Sequence, residues 1–107
     1  MRRGEIVSVV ISGDFGKPRP ALVVQADQFS DIPSLAVLPL TSDLRDVPSV
    51  RIDVDPDPSN GLILRSQIMV DKIVSVAGNR VGPRIGQLSG EKMALVDRAL
   101  AVFLGFA

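Results

Sequence analysis

Lys17-Pro18-Arg19-Pro20 is the segment of this chain whose residue types are best arranged for chemistry. Pro18 has a fixed φ, and Pro20 pushes the residue before it toward extended backbone, so Arg19 is a cation on a stiff, non-helical support. What surrounds it is bounded by absence. The chain has no histidine, cysteine, tyrosine or tryptophan. Most of the usual acid/base and nucleophile candidates are therefore missing, and any catalysis falls to Arg, Lys, Asp, Glu, Ser and Thr. Without Cys and His, zinc and soft-metal sites are excluded as well, which leaves only a carboxylate site for a hard cation. No metal or other cofactor is expected.

The elements that must position Arg19 are short. Residues 5–11 are rich in β-branched side chains and stop at Ser12-Gly13-Asp14, a strand followed by a turn signal. Residues 21–25 and 35–40 read the same way. Val50-Arg51-Ile52-Asp53-Val54 alternates apolar with charged, as a strand with one buried face does. Asn60-Gly61 is a turn pair, after which Leu62-Ile63-Leu64, and Ile68-Met69-Val70 leading into Ile73–Val76, predict one or two further strands before the Gly78-Asn79 turn. About five to seven short strands are expected in all. From Ser89 the period changes. Leu95, Val96, Ala99, Val102 and Phe103 fall at helical spacing, Ser89 is an N-cap, Glu91 suits the positive end of the helix dipole and Gly105 is a stop. Phe103 and Phe106 are assigned to this helix. The expected architecture is one domain over residues 1–107, mainly β: a small curled antiparallel sheet packed by a terminal helix.

Twelve basic and twelve acidic residues cancel, so net charge gives no support to a nucleic-acid reading; distribution has to carry it. Arg2, Arg3, Lys17, Arg19, Arg45 and Arg51 dominate the cations of the first half, while Asp53, Asp55 and Asp57, set between prolines, read as a solvated turn. After Met1-Arg2-Arg3-Gly4-Glu5 comes only a short apolar stretch, too short for a signal-peptide core or a membrane span. A cytoplasmic protein without membrane association is expected.

Arg3-Gly4-Glu5-Ile6-Val7, Gly16-Lys17-Pro18-Arg19-Pro20-Ala21-Leu22-Val23-Val24 and Leu38-Pro39-Leu40-Thr41-Ser42 together resemble the MazF/PemK family of toxins from bacterial toxin–antitoxin pairs. The resemblance continues through Asn60-Gly61-Leu62, Val70-Asp71-Lys72-Ile73 and Arg84-Ile85-Gly86-Gln87-Leu88, and so covers nearly the whole chain. It implies an SH3-like, twisted antiparallel β-barrel with a C-terminal helix. It also implies a homodimer, and a metal-independent, ribosome-independent endoribonuclease that cuts single-stranded mRNA at short motifs and is neutralised by a cognate antitoxin. Family active sites use the arginine of the Arg-Pro element and the threonine ending the third strand, which fall on Arg19 and Thr41. Some members add an acidic residue where Asp71 stands. Met69 departs from members that carry a second catalytic arginine there.

In such a site the RNA 2′-hydroxyl attacks the adjacent phosphorus. Arg19 suits stabilisation of the phosphoryl oxygens, because its planar paired donors match them; a guanidinium holds its proton too tightly to serve well as a general acid. Thr41 sits where a strand should end, its hydroxyl either donating to a phosphate oxygen or bonding its own turn. Ser42 shares that phosphate contact or caps the turn, and Lys17 adds a cation. Asp71 lies in an apolar segment, where a carboxylate needs a partner. It is either in a structural ion pair with an arginine or a base or orienter of Arg19, and pairing with Lys72 is poor geometry if both are on a strand. Gly13-Asp14-Phe15-Gly16-Lys17 reads as a loop over RNA, with Phe15 either stacking on a base or simply packing. Two other readings remain open: a gyrase-poisoning toxin of the CcdB type on the same fold, whose C-terminal tryptophan this chain lacks, and a non-catalytic barrel that binds RNA or peptide.

Overall fold

The computed structural model describes residues 1–107. Seven strands run β1 Glu5–Val10, β2 Pro18–Val23, β3 Ser34–Thr41, β4 Arg51–Val54, β5 Ser66–Met69, β6 Val74–Ala77 and β7 Val81–Gln87, followed by helix α1, Gly90–Leu104. All pairings are antiparallel, in the order β4-β5-β3-β2-β1-β7, with β6 also on β3. The helix begins and ends where its local signals require. Ser89 Oγ accepts from Lys92 N at 3.2 Å, and Gly105 closes the helix at φ 85°. Phe106 lies past that stop rather than in the helix. No helix is long and apolar enough to cross a membrane.

β3 organises the sheet. Along one edge it pairs with β6 (Ala36↔Ser75, Val37↔Val74) and then with β5 (Leu40↔Ile68, Thr41↔Gln67). β5 and β6 are thus one strand interrupted by the 3-10 turn Val70–Lys72, an insertion that lets Val70 drop into the core with no exposure. Along its other edge β3 pairs with β2 only from Val37 to Pro39. Pro18 and Pro20 have no N–H to give, so the ladder stops there and β3 carries on with β5 alone. The two strands part at this point, and the gap becomes the cleft described below.

Alternation along β1, β2 and β3 sends side chains to opposite faces, and both faces are buried. Ile6, Leu22, Leu38, Leu40, Ile68 and Val96 belong to one cluster, covered by α1 through Val96, Met93, Ala99 and Leu100. Val7, Val9, Ala21, Val23 and Val37 belong to the other, over which no helix lies. These five are nevertheless 0–1% exposed, because Val76 of β6 and Val81 of β7 are carried over them as the sheet curls on itself. Each fully buried Val, Leu or Ile side chain contributes about 1.5–3 kcal/mol relative to leaving it in water.

One sequence expectation fails here, and another is met with an addition. Leu62-Ile63-Leu64 is not a strand: it makes no ladder, and Ile63 and Leu64 are exposed. The acidic cluster is exposed, as a solvated turn should be, and it is also tied down. Asp57 Oδ1 accepts from Ser59 N and Asn60 N at 2.8 and 2.7 Å, and Arg65 reaches both Asp53 and Asp55 at 3.4 Å. Asn60, 2% exposed, then locks the loop: its Oδ1 accepts from Asp57 N and Leu62 N, and its Nδ2 donates to Asp55 O at 2.8 Å. Gly61 and Gly86 face this contact without Cβ atoms. A Cβ on Gly61 would stand 2.2 Å from Ile85 O, and one on Gly86 would stand 2.2 Å from Asn60 O.

Candidate active site

Where β2 and β3 part there is a cleft of about 550 Å³. It is lined by Lys17, Arg19 and the flanking prolines of β2, by Leu40, Thr41, Ser42 and Asp43 at the end of β3, and by an uncharged wall of Gly61–Leu64 with Ser66 and Ile85. Arg19 also borders a second cleft of about 530 Å³, with Asp14, Met69, Asp71 and Lys72. It therefore stands between the two. Arg19 Nε is 2.8 Å from Asp14 Oδ2, while its N–H is not aligned on that oxygen; the contact is an ion pair without a hydrogen bond.

Thr41 ends β3 and its Oγ1 accepts from Asp43 N at 3.0 Å. This is the turn bond that the sequence offered as an alternative to phosphate contact. The two are compatible, because a hydroxyl that accepts retains its own proton to donate. The turn after Thr41 is held from below by Gln67, Thr41's partner in the β3–β5 register. Gln67, 7% exposed, accepts from Arg45 N at 3.0 Å and from Arg51 Nη1 at 2.9 Å, and donates to Arg45 O and Asp53 Oδ1 at 3.0 and 2.9 Å. Arg51 Nη1 also donates to Asp43 O at 3.0 Å. One buried amide thus fixes the segment carrying Thr41 and Ser42.

The chain matches, over residues 2–104, the model of the PemK-like, MazF-like toxins of type II toxin–antitoxin systems. It belongs to this family. A probable endoribonuclease MazF of Mycolicibacterium smegmatis is 42% identical over 108 residues, which take in 100% of this chain and 99% of the relative. Among solved structures, a mycobacterial endoribonuclease in complex with its cognate antitoxin superposes with a TM-score of 0.83 at 22% identity, over 100% of this chain and 97% of that one. Mycobacterium tuberculosis toxin MazF-mt6 gives 0.82 at 20% identity, over 96% and 98%. At these identities the superpositions speak for the fold, seven antiparallel strands with one C-terminal helix.

Against this MazF-like frame the expected residues separate. Arg19, Thr41, Lys17 and Ser42 line one cleft; Asp71 meets Arg19 only in the second; Phe15 lines neither, standing fully exposed at φ 56°. The expectation about Lys72 also changes. Asp71 and Lys72 sit on the 3-10 turn instead of a strand, and Lys72 Nζ comes to 3.7 Å from Asp71 Oδ2. Asp14, Ser66 and Gln67 escaped the sequence reading. Asp14 looks like an ordinary turn residue, and Gln67 occupies an alternating position indistinguishable from one facing solvent.

Proposed function

We propose that this MazF-like toxin is a metal-independent, ribosome-independent endoribonuclease that cuts single-stranded mRNA through attack of the substrate's own 2′-hydroxyl. The 2′-oxygen bonds to the adjacent phosphorus and the P–O5′ bond breaks; one proton leaves the 2′-hydroxyl and another reaches the departing 5′-oxygen. The products are a 2′,3′-cyclic phosphate and a 5′-hydroxyl. Arg19 stabilises charge on the phosphoryl oxygens through its Nη groups, Lys17 adds attraction for the backbone, and the Thr41 hydroxyl donates to a phosphate oxygen with Ser42 beside it. Asp71 belongs to the neighbouring stretch of the groove. The observation that supports this reading is the meeting of Arg19 and Thr41 in one cleft, opened because β2 begins with prolines. The family match and the MazF relative favour it over gyrase poisoning.

The test is incubation of the pure protein with a defined RNA in chelator, followed by analysis of the product ends. Discrete cuts ending in cyclic phosphate are expected, 2′-deoxy substitution at the cut nucleotide should block them, and Arg19→Ala should reduce them by about 10² to 10³. Cleavage of the deoxy substrate would overturn the mechanism.

The same reading makes the single-domain chain a cytoplasmic homodimer. Leu95, Val102 and Phe103 of α1 remain about half exposed, a face that a second copy would bury. An acidic, disordered antitoxin segment is expected to compete with RNA for the groove around Arg19, because cations that attract a phosphate backbone also attract a flexible acidic peptide.

A further inference from the structure

Ile63 is 92% exposed and Leu64 61%, and they follow directly on a turn that the buried Asn60 side chain fixes. Asn60 is tied by its own side chain to Asp55, Asp57 and Leu62, and Gly61 is pressed against Ile85 O. Two large aliphatic side chains thus stand in water directly beside a fixed turn. Leaving such area wet is unfavourable, and it is usually kept where something covers it. The exposed pair belongs to the uncharged stretch Gly61–Leu64, which lines the same cleft as Lys17 and Arg19. A nucleotide has this polarity: an anionic phosphate at one end and a flat, largely apolar base face at the other.

We infer that Ile63 and Leu64 form a base-packing subsite, receiving one nucleobase beside the scissile phosphate while Arg19 and Lys17 hold the backbone. The inference rests on the nuclease reading above and adds to it which wall meets a base. Aliphatic contact recognises the face of the base and no hydrogen-bonding edge. The subsite therefore contributes to binding and register at that position, and edge discrimination has to come from polar groups elsewhere in the cleft.

The experiment compares the wild type with the double variant Ile63→Ala/Leu64→Ala. Both are assayed on a cleavable oligonucleotide and on a series in which each nucleotide flanking the cut is made abasic in turn. Both side chains are exposed, so the variant should keep the wild-type melting temperature. At one position the abasic change should cost the wild type about tenfold in kcat/KM, and the double variant should lose about as much on intact RNA. Together the two changes should cost little more than either alone. Multiplying losses at every position would overturn the subsite. So would a variant that cuts intact RNA normally but binds a synthetic acidic, leucine-bearing peptide more weakly, which would assign the wall to a protein partner. Failure of the wild type to cut any RNA would overturn the nuclease reading itself, and the subsite with it.

Discussion

Asp14 Oδ2 stands 2.8 Å from Arg19 Nε at the ridge between the two clefts. The carboxylate is held there by its own loop: Asp14 N donates to Ile11 O at 3.1 Å and Asp14 O accepts from Lys17 N at 3.0 Å. Left-handed residues on both sides, Gly13 at φ 95° and Phe15 at φ 56°, turn the chain back. Engaging the guanidinium at Nε leaves the two Nη groups for a phosphate. On the proposed reading Asp14 is a positioning residue for Arg19. Asp14→Ala should lower kcat by about 10- to 100-fold with a smaller change in KM, since misplacing a catalytic group costs that much. In an Arg19→Ala background the same substitution should cost nothing further, and Asp14→Glu should restore part of the loss. Equal losses in both backgrounds would show that Asp14 acts independently of Arg19.

On the proposed reading one Thr41 hydroxyl has two tasks, accepting from Asp43 N and donating to phosphate. Thr41→Val removes the acceptor for Asp43 N as well as the donor, so about 1 kcal/mol of stability should go with the activity. Thr41→Ser should recover both. Measuring melting temperature beside cleavage rate decides between the tasks: a rate loss accounted for by the unfolded fraction would leave Thr41 a turn residue only.

What was legible in the chain was local. The helix could be read because its period, its Ser89 cap and its Gly105 stop lie within its own residues, and β1, β3 and β4 because their side chains alternate or are β-branched. β7 could not be read. Gly82, Pro83 and Gly86 give it the look of a loop, and the reason Gly86 must lack a Cβ is Asn60, far away in sequence. Leu62-Ile63-Leu64 misled in the opposite direction, since an apolar triplet reads as buried unless one knows that the Asn60-Gly61 lock turns it outward. At the site, Arg19 stood out through its prolines and Thr41 through its strand end. Their supports, Asp14 and Gln67, act across the fold and leave no periodic trace.

The close approach of Gly61 to Ile85 makes a sharp stability prediction. Gly61→Ala would bring a Cβ within 2.2 Å of a backbone oxygen at φ 68°, so the strand or the loop has to move. A loss of about 3 kcal/mol or more is expected, together with loss of cleavage as the apolar wall shifts. Gly105→Ala is the control. Its φ of 85° is equally left-handed, but nothing lies within 4 Å, so only about 1–2 kcal/mol of backbone strain should appear, and cleavage should persist. Equal denaturation midpoints for the two variants would refute the contact argument.

Glu5 gives the fold a defined response to acid. Its Oε1 accepts from Arg2 N at 2.5 Å and its Oε2 from Arg84 Nε at 2.6 Å, joining β1 to β7 where Glu5 pairs with Gln87. The backbone N–H of Arg2 lowers the Glu5 pKa below its ordinary value of 4.5; burial opposes this, and the Arg84 guanidinium adds to the lowering. The unfolded chain, without these partners, therefore takes up its proton first as pH falls. Above 4.5 the carboxylate is ionised in both states and its contribution to stability is complete; below 4.5 that contribution shrinks, and it is gone once pH has passed below the folded value. Glu5→Gln should thus be less stable than wild type near neutrality, and the gap should narrow steadily in acid. Urea midpoints for the two proteins at about pH 7, 4.5 and 3 test this. Parallel curves across that range would mean that the charge on Glu5 does not hold the β1–β7 seam.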